Sequence, residues 1–256
     1  MQLFLEDGSY VLTDEAIDCS IPLEASATNP RAWYVNAPVI EPVRTADWNG
    51  SVAEGGSVNF RNIFFNPHGH GTHTECLGHI TEEVYSVNSI TFSPFMKAAL
   101  ISVEPMQQPN ADGSIDSVIT LEQLSELSNY PATEAVLIRS LPNNTSKCST
   151  DYSSTNPTYL EVEIVSLLDE MGIKHLLVDV PSVDREQDNG ALAFHHAYWG
   201  VPDNQQFDRT ITELIFVPDT AKDGVYLLNL ETAPFVNDAT PSRPVIYPLH
   251  RNEEDQ

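Results

Sequence analysis

Residues 135–180 constrain the fold of this chain more than any other stretch. Ala135-Val136-Leu137-Ile138 is an unbroken apolar run ending at Arg139, the pattern of a strand covered on both faces. Apolar side chains then recur at Leu160, Ile164, Leu167, Leu168 and Met171, a helical period that stops at Gly172. His175-Leu176-Leu177-Val178-Asp179-Val180 follows as a second core strand. Strand, helix over residues 160–171 and strand read together as a βαβ unit, which places the chain in the α/β class. Further strands are expected at residues 10–12, 16–21, 62–65, 98–103, 211–217 and 225–230. A helix is expected to start at Thr120, where Thr120 and Gln123 have capping-box spacing. Residues 28–58 show no period and read as a long loop around Trp33, Tyr34 and Trp48. There is no internal repeat and no convincing linker, so one domain over residues 1–256 is expected.

Chemistry concentrates in His68-Gly69-His70-Gly71-Thr72-His73-Thr74-Glu75-Cys76-Leu77-Gly78-His79. Four imidazoles, a carboxylate and a thiol are separated by glycine and other small residues. Each buried ring nitrogen requires a partner once water is removed, so cores rarely accept such density without a purpose. A polar loop bonded to carbonyls and solvent is the bland explanation; a metal or catalytic centre is the stronger one. Residues 62–65 are expected to lead a strand into this segment. Phe194-His195-His196-Ala197-Tyr198-Trp199 and the lone carboxylate of Arg209-Thr210-Ile211-Thr212-Glu213-Leu214 are weak signals singly. Joined to the first cluster, His195 or His196 and Glu213 could close a metal cage.

Charge excludes some functions. With 37 acidic against 12 basic residues, the chain carries a formal charge of −25, which opposes binding to nucleic acid or to anionic membranes. No apolar run approaches a membrane span, and Met1-Gln2-Leu3-Phe4-Leu5-Glu6-Asp7 lacks the basic start and apolar core of a secretory signal. Cys19, Cys76 and Cys148 lie far apart without a CxxC pair, which fits a reducing cytoplasm. The expected partner is a small-molecule substrate.

Gly71-Thr72-His73-Thr74-Glu75-Cys76-Leu77-Gly78-His79 resembles the signature His-x-Gly-Thr-His-x-Asp-x-Pro-x-His of the cyclase-like metal hydrolases, which include bacterial kynurenine formamidase and isatin hydrolase. The resemblance spans most of the chain. Asp18-Cys19-Ser20-Ile21-Pro22-Leu23 is similar to that family's opening Asp-Leu-Ser segment, and Leu137-Ile138-Arg139-Ser140 to its Ile-Arg-Thr strand end. Val178-Asp179 through Ser182-Val183-Asp184 resembles its Asp-x-x-Ser-x-Asp stretch, and Pro241-Ser242-Arg243-Pro244-Val245 its Pro-x-Arg.

The resemblance implies a swivelling β/β/α fold, a mixed β-sheet or barrel flanked by helices, assembled as a homodimer or homotetramer. It implies one or two zinc ions, with manganese as the alternative. His73 and Glu75 would be metal ligands, Glu75 bridging if two ions bind, and His79 the general acid/base. His196 (or His195) and Glu213 would serve the second ion. The implied reaction is hydrolysis of a small amide, N-formylkynurenine to kynurenine and formate, a step of tryptophan catabolism. Lactam hydrolysis is the alternative.

Departures accompany the match. Glu75 stands where the family has Asp, Leu77 where it has Pro, and the first signature His falls on Gly69, which has no side chain to offer. His68 or His70 would have to replace it. The wider spacing to Glu213 implies an insertion around Pro202-Asp203-Asn204. Two rival expectations remain: a cysteine hydrolase with Cys76 as nucleophile and His79 as base, which the neighbouring Glu75 disfavours, and a non-catalytic binding protein that kept the fold.

Overall fold

A computed structural model describes residues 1–90, 93–110 and 113–251. In chain order the strands are β1 (Gln2–Phe4), β2 (Tyr10–Leu12), β3 (Ile17–Asp18), β4 (Val39–Pro42), β5 (Arg61–Phe64), β6 (His73–Glu75), β7 (Phe95–Val103), β8 (Met106–Pro109), β9 (Ile115–Ile119), β10 (Ala135–Ser140) and β11 (Tyr159–Leu160). Helix α1 (Ile164–Met171), β12 (His175–Val178), helix α2 (Ala193–Trp199), β13 (Thr210–Glu213), β14 (Gly224–Thr232) and β15 (Ala239–Pro248) complete the order.

Seven strands close a barrel in the order β14-β7-β10-β12-β13-β6-β15, with β15 returning to pair with β14 and β3 added on β15. The run β7-β10-β12-β13 is parallel, and every other junction of the ring is antiparallel. The expected βαβ unit is present: β10 and β12 are parallel neighbours, Ala135 opposite His175 and Ile138 opposite Val178, with α1 between them in sequence. Alternation divides each parallel strand between two cores. Ala98, Leu100, Ala135, Leu137 and Leu177 point into a cluster inside the ring that contains no helical residue. Ala99, Ile101, Val136, Ile138 and Leu176 point out to the helices, where they meet Ile164, Leu168, Phe194, Tyr198 and Trp199. Burial on both faces explains the continuous apolar runs.

Several expected bounds move. The helix begins at Ile164 rather than residue 160, because Leu160 belongs to β11 and pairs in parallel with Ile119 of β9. Near Thr120 the chain forms a 3-10 helix, Glu122–Asn129, although Gln123 Oε1 does accept from Thr120 N–H at 3.0 Å. The strand at 211–217 stops at Glu213, since Leu214 takes a left-handed φ of 53°. Residues 62–65 do not lead straight into the histidine segment. Their strand, β5, pairs in a separate two-stranded ribbon with β4, which lies within the expected loop. Among the described residues no helix is long and apolar enough to cross a membrane.

Candidate metal centre

β6 lies between β13 and β15, and its alternation directs His73 and Glu75 to one side and Thr74 to the other, where Thr74 Oγ1 meets Thr212 Oγ1 at 2.8 Å. Glu213 is the cross-strand partner of His73, so the register brings their side chains together, His73 Nε2 to Glu213 Oε2 at 3.5 Å. Beyond Glu75 the chain turns through the 3-10 segment Leu77–His79. Gly78 makes that turn possible, since a Cβ there would sit 2.1 Å from the Tyr85 carbonyl oxygen. His79 thereby comes back over the strand, Nε2 4.0 Å from Glu75 Oε2.

His68 arrives from the preceding turn and stacks on His79 with ring centroids 4.2 Å apart. His195 comes from α2, whose Phe194, Tyr198 and Trp199 are fully buried. Each such burial contributes about 1.5–3 kcal/mol, so the imidazole rides on a firmly held helix face.

Three of these histidines share one arrangement. His73 Nδ1 donates to Gly71 O at 2.9 Å, His195 Nδ1 to Asp184 Oδ2 at 2.6 Å, and His68 Nε2 to Asp238 Oδ2 at 2.8 Å. The remaining ring nitrogen of each is thereby aimed at a buried carboxylate. His195 Nε2 lies 3.0 Å from Glu75 Oε1, and His68 Nδ1 2.9 Å from Glu75 Oε2. Metal-ligating histidines carry this kind of outer partner, which fixes tautomer and ring direction. Asp184 also accepts from the N–H groups of Phe194 and His195 at 2.8 and 3.1 Å, tying the start of α2 to the site. Glu213 Oε1 accepts from Val183 N–H at 3.1 Å.

A divalent cation fits this donor set on two grounds. His73 Nε2 and Glu75 Oε2 are buried and meet no partner in hydrogen-bond geometry, which is costly unless an ion occupies the space between them. The donor atoms of His68, Glu75 and His79, and those of His73, Glu75 and Glu213, form two groups sharing Glu75, each within 4.8 Å. The charge balance agrees. Burial opposes a charge on His68 and His195, yet Asp238 and Glu75 outweigh it for the first, and Asp184 and Glu75 for the second, holding both pKa values up at about 10. Burial likewise pushes Glu75 up, but His79, His195 and His68 keep its carboxyl well below the usual range. The site is an anionic hollow that gathers protons and would gather a metal cation in their place.

Two expected ligands lie outside the cluster. His70 accepts from Asn66 N–H at Nδ1 (2.8 Å) and donates from Nε2 to Asn36 O (2.6 Å), so both nitrogens are spent on joining the two ends of the β4–β5 ribbon. His196 points from the other side of α2 toward Val201 O, 3.3 Å from its Nδ1; the histidine facing the site is His195. The signature position at Gly69 is closed to any side chain, because a Cβ would meet Val35 Cγ2 at 2.8 Å; His68 reaches the cluster in its stead. Cys76 is buried, donates from Sγ to Tyr85 O at 3.3 Å, and burial pushes its pKa up to about 11, so it is no thiolate nucleophile.

Asp184 and Asp238 were not foreseen as site residues. Asp184 had a signal in the Ser182-Val183-Asp184 stretch, whereas Asp238 had none, being delivered by the pairing of Ala239 with Glu75. A cavity of about 360 Å³ opens above the cluster, lined by Trp33, His68, His79, Arg185, Leu192 and His195 among others. Of the three aromatic residues named in the 28–58 segment, Trp33 alone lines it. Tyr34 bonds Glu186 at the surface and Trp48 packs on Phe60.

A sequence profile of the Cyclase family matches residues 17–185. The chain is 30% identical over 243 residues to a kynurenine formamidase of Bacillus cereus, covering 93% of this chain and 99% of that protein. Among solved structures it is similar to a cyclase (TM-score 0.65, 14% identity, 92% of this chain and 89% of the other). It is also similar to an isatin hydrolase bound to the product analogue thioisatinate (TM-score 0.64, 13% identity, 96% and 94%).

Proposed function

Because the chain belongs to the Cyclase family, we propose that it hydrolyses the amide bond of a small molecule at a metal centre, with N-formylkynurenine as the substrate. The observation that carries this reading is the convergence of His68, His73, Glu75, His79, His195 and Glu213 around orphaned buried donor atoms at the floor of a cavity. His68, His73, Glu75, His195 and Glu213 would hold one or two ions, zinc or alternatively manganese, Glu75 being common to both donor groups. Such an ion supplies Lewis acidity and makes water nucleophilic near neutral pH.

The chain's own residues do the rest. His79 stands at the cavity side of the cluster and is the least buried of its histidines, within 3.4 Å of Asp238 Oδ2 through Nδ1. It takes a proton as water attacks the formyl carbon and returns it to the leaving amine, a task suited to imidazole. Asp238 orients that ring. Trp33 offers a flat face at the cavity wall for the aryl ring. The kynurenine formamidase relative supports the choice of substrate.

The test is metal content by mass spectrometry on protein purified without added metal, followed by turnover of N-formylkynurenine and of isatin. Near-stoichiometric zinc or manganese with release of kynurenine is expected. Metal-loaded protein that opens isatin but leaves N-formylkynurenine intact would replace the substrate; protein that takes up no metal after reconstitution would overturn the reading.

A further inference from the structure

The cavity above the histidine and carboxylate cluster, about 360 Å³, is of a size that takes a small organic molecule. Among the described residues lining it, Arg185 is the only lysine or arginine, and it shares those walls with Asp184, Glu186, Asp188 and Glu213. In a chain of 37 acidic against 12 basic residues, composition alone does not put a guanidinium there. We propose, resting on the formamide reading above, that Arg185 holds the carboxylate of the substrate's amino-acid chain. The site then selects an aryl formamide borne on an amino acid over an aryl formamide alone.

The guanidinium is held in place by the fold. Arg185 Nε and Nη2 donate to Asp116 Oδ2 and Oδ1 at 2.9 and 3.1 Å, and Nη1 donates to Gln187 O at 2.6 Å. Asp116, on β9, is buried and also accepts from Asn156 Nδ2 at 2.9 Å and from Tyr159 O–H at 3.0 Å. Asp116 thus does for Arg185 what Asp184 does for His195. Because residues 184 and 185 are consecutive, the group that meets the carboxylate and the histidine beside the metal site are set by one short piece of backbone. A guanidinium suits the task, since its five coplanar N–H donors can serve two carboxylates at once.

The backbone around Arg185 is kept in a costly shape. Seven described non-glycine residues have a left-handed φ; six of them, Trp33, Tyr34, Ser154, Asn156, Asn189 and Leu192, border this wall, and Leu214 is the seventh. Glu186 ties three together, accepting from Tyr34 O–H at 2.9 Å, Ser154 N–H at 2.5 Å and Asn156 N–H at 3.0 Å. Asp188 accepts from Leu192 N–H at 2.6 Å. Strain of this kind persists only where neighbours over-determine it, and it gathers at ligand clamps. A wall fixed in advance spends little of its binding energy on ordering itself.

Long-range charge works the other way. A chain of formal charge −25 draws in an amine and repels a carboxylate. Preference for the carboxylate must therefore come from a local group, and Arg185 is the group the cavity supplies.

Steady-state turnover by the metal-loaded full chain tests this, comparing N-formylkynurenine with N-formylkynuramine, the same molecule without its carboxylate, in the native protein and in Arg185→Gln. Native kcat/KM should be roughly 10- to 100-fold higher for N-formylkynurenine, the range of a hydrogen bond to a charged group. In Arg185→Gln that ratio should fall to near one. Calorimetry, which does not depend on turnover, should show native protein binding the product kynurenine more tightly than kynuramine, and the variant losing that difference. Equal kcat/KM for the two substrates in the native protein, or a ratio that Arg185→Gln leaves unchanged, would overturn the proposal and leave the formamide reading standing. Turnover of neither substrate would overturn that reading, and the carboxylate subsite with it. Should the variant misfold, the native ratio and the two native binding constants decide the matter by themselves.

Discussion

Replacing Asp184 with Asn changes almost no volume but sets a hydrogen-bond conflict that can be worked through atom by atom. Asp184 Oδ1 accepts from Phe194 N–H at 2.8 Å, while Oδ2 accepts from His195 N–H at 3.1 Å and from His195 Nδ1 at 2.6 Å. Asparagine has one acceptor oxygen and a donating NH₂. If its oxygen keeps both His195 bonds, the NH₂ confronts Phe194 N–H, and a neutral amide oxygen holds the ring less firmly than a carboxylate. If its oxygen keeps Phe194, the NH₂ confronts two N–H groups at His195. The ring escapes only by moving its proton from Nδ1 to Nε2, the nitrogen that faces Glu75 Oε1 at 3.0 Å, and a protonated Nε2 cannot bind a metal. Loss of such an outer partner costs about 10- to 100-fold in metal affinity, or roughly 1.4–2.8 kcal/mol. One buried N–H left unpaired should separately lower the stability of the metal-free protein by about 1–3 kcal/mol. Competition with a chromophoric chelator measures the first quantity and thermal unfolding of the metal-free protein the second. Native metal affinity in Asp184→Asn, with only the stability reduced, would refute the reasoning and reduce Asp184 to a helix cap.

Further outcomes follow from the same geometry. His68→Ala should lower metal content at least 10-fold, whereas His70→Ala should keep its metal and lose about 1–3 kcal/mol of stability from two unpaired groups; the reverse pattern in metal analysis would restore His70 as the ligand. His79→Gln is expected to retain metal and lose about 10²- to 10⁴-fold in kcat, measured by release of kynurenine under saturating substrate. Burial lowers the pKa of His175 from 6.5 to about 4, so its contribution is full above pH 6.5 and is lost as pH falls toward 4. Between pH 7 and pH 5 that amounts to about 2 kcal/mol. In denaturant unfolding of metal-free protein, His175→Gln should flatten the pH dependence by that amount, and equal slopes for the two proteins would exclude it.

Which parts of this site could be read in the sequence depended on what a local pattern encodes. His73 and Glu75 are two apart, and any strand puts them on one face. Choosing between His195 and His196 was also within reach. Adjacent helical residues lie about 100° apart, and Phe194, Tyr198 and Trp199 mark the buried face, which His195 shares and His196 does not. His68 and His70 could not be separated by spacing, because the turn between Pro67 and Gly71 is irregular and its direction is set by contacts with Ala32 and Val35. The run at 62–65 read as a strand entering the histidine cluster, although residues 61–64 are exposed on a separate ribbon; composition records hydrophobicity but not what covers it. Asp238 was beyond any local pattern, since its place follows from the pairing of two strands far apart in sequence.

β15 divides its length, Ala239–Pro241 against β6 and the following residues against β14, and so serves as the seam of the ring. It is also the last strand along the described chain. During synthesis the parallel wall β7-β10-β12-β13 can therefore assemble early, with His73, Glu75 and Glu213 already made, while one edge of β6 still waits for its neighbour. Contacts of such long sequence separation form slowly because the intervening loop must first be closed. Asp238, immediately ahead of the seam, reaches His68 and His79 only as that final strand docks. The centre is thus completed when the barrel is sealed, and a ribosome-bound nascent chain that ends short of β15 should hold metal poorly however well its parallel wall has folded.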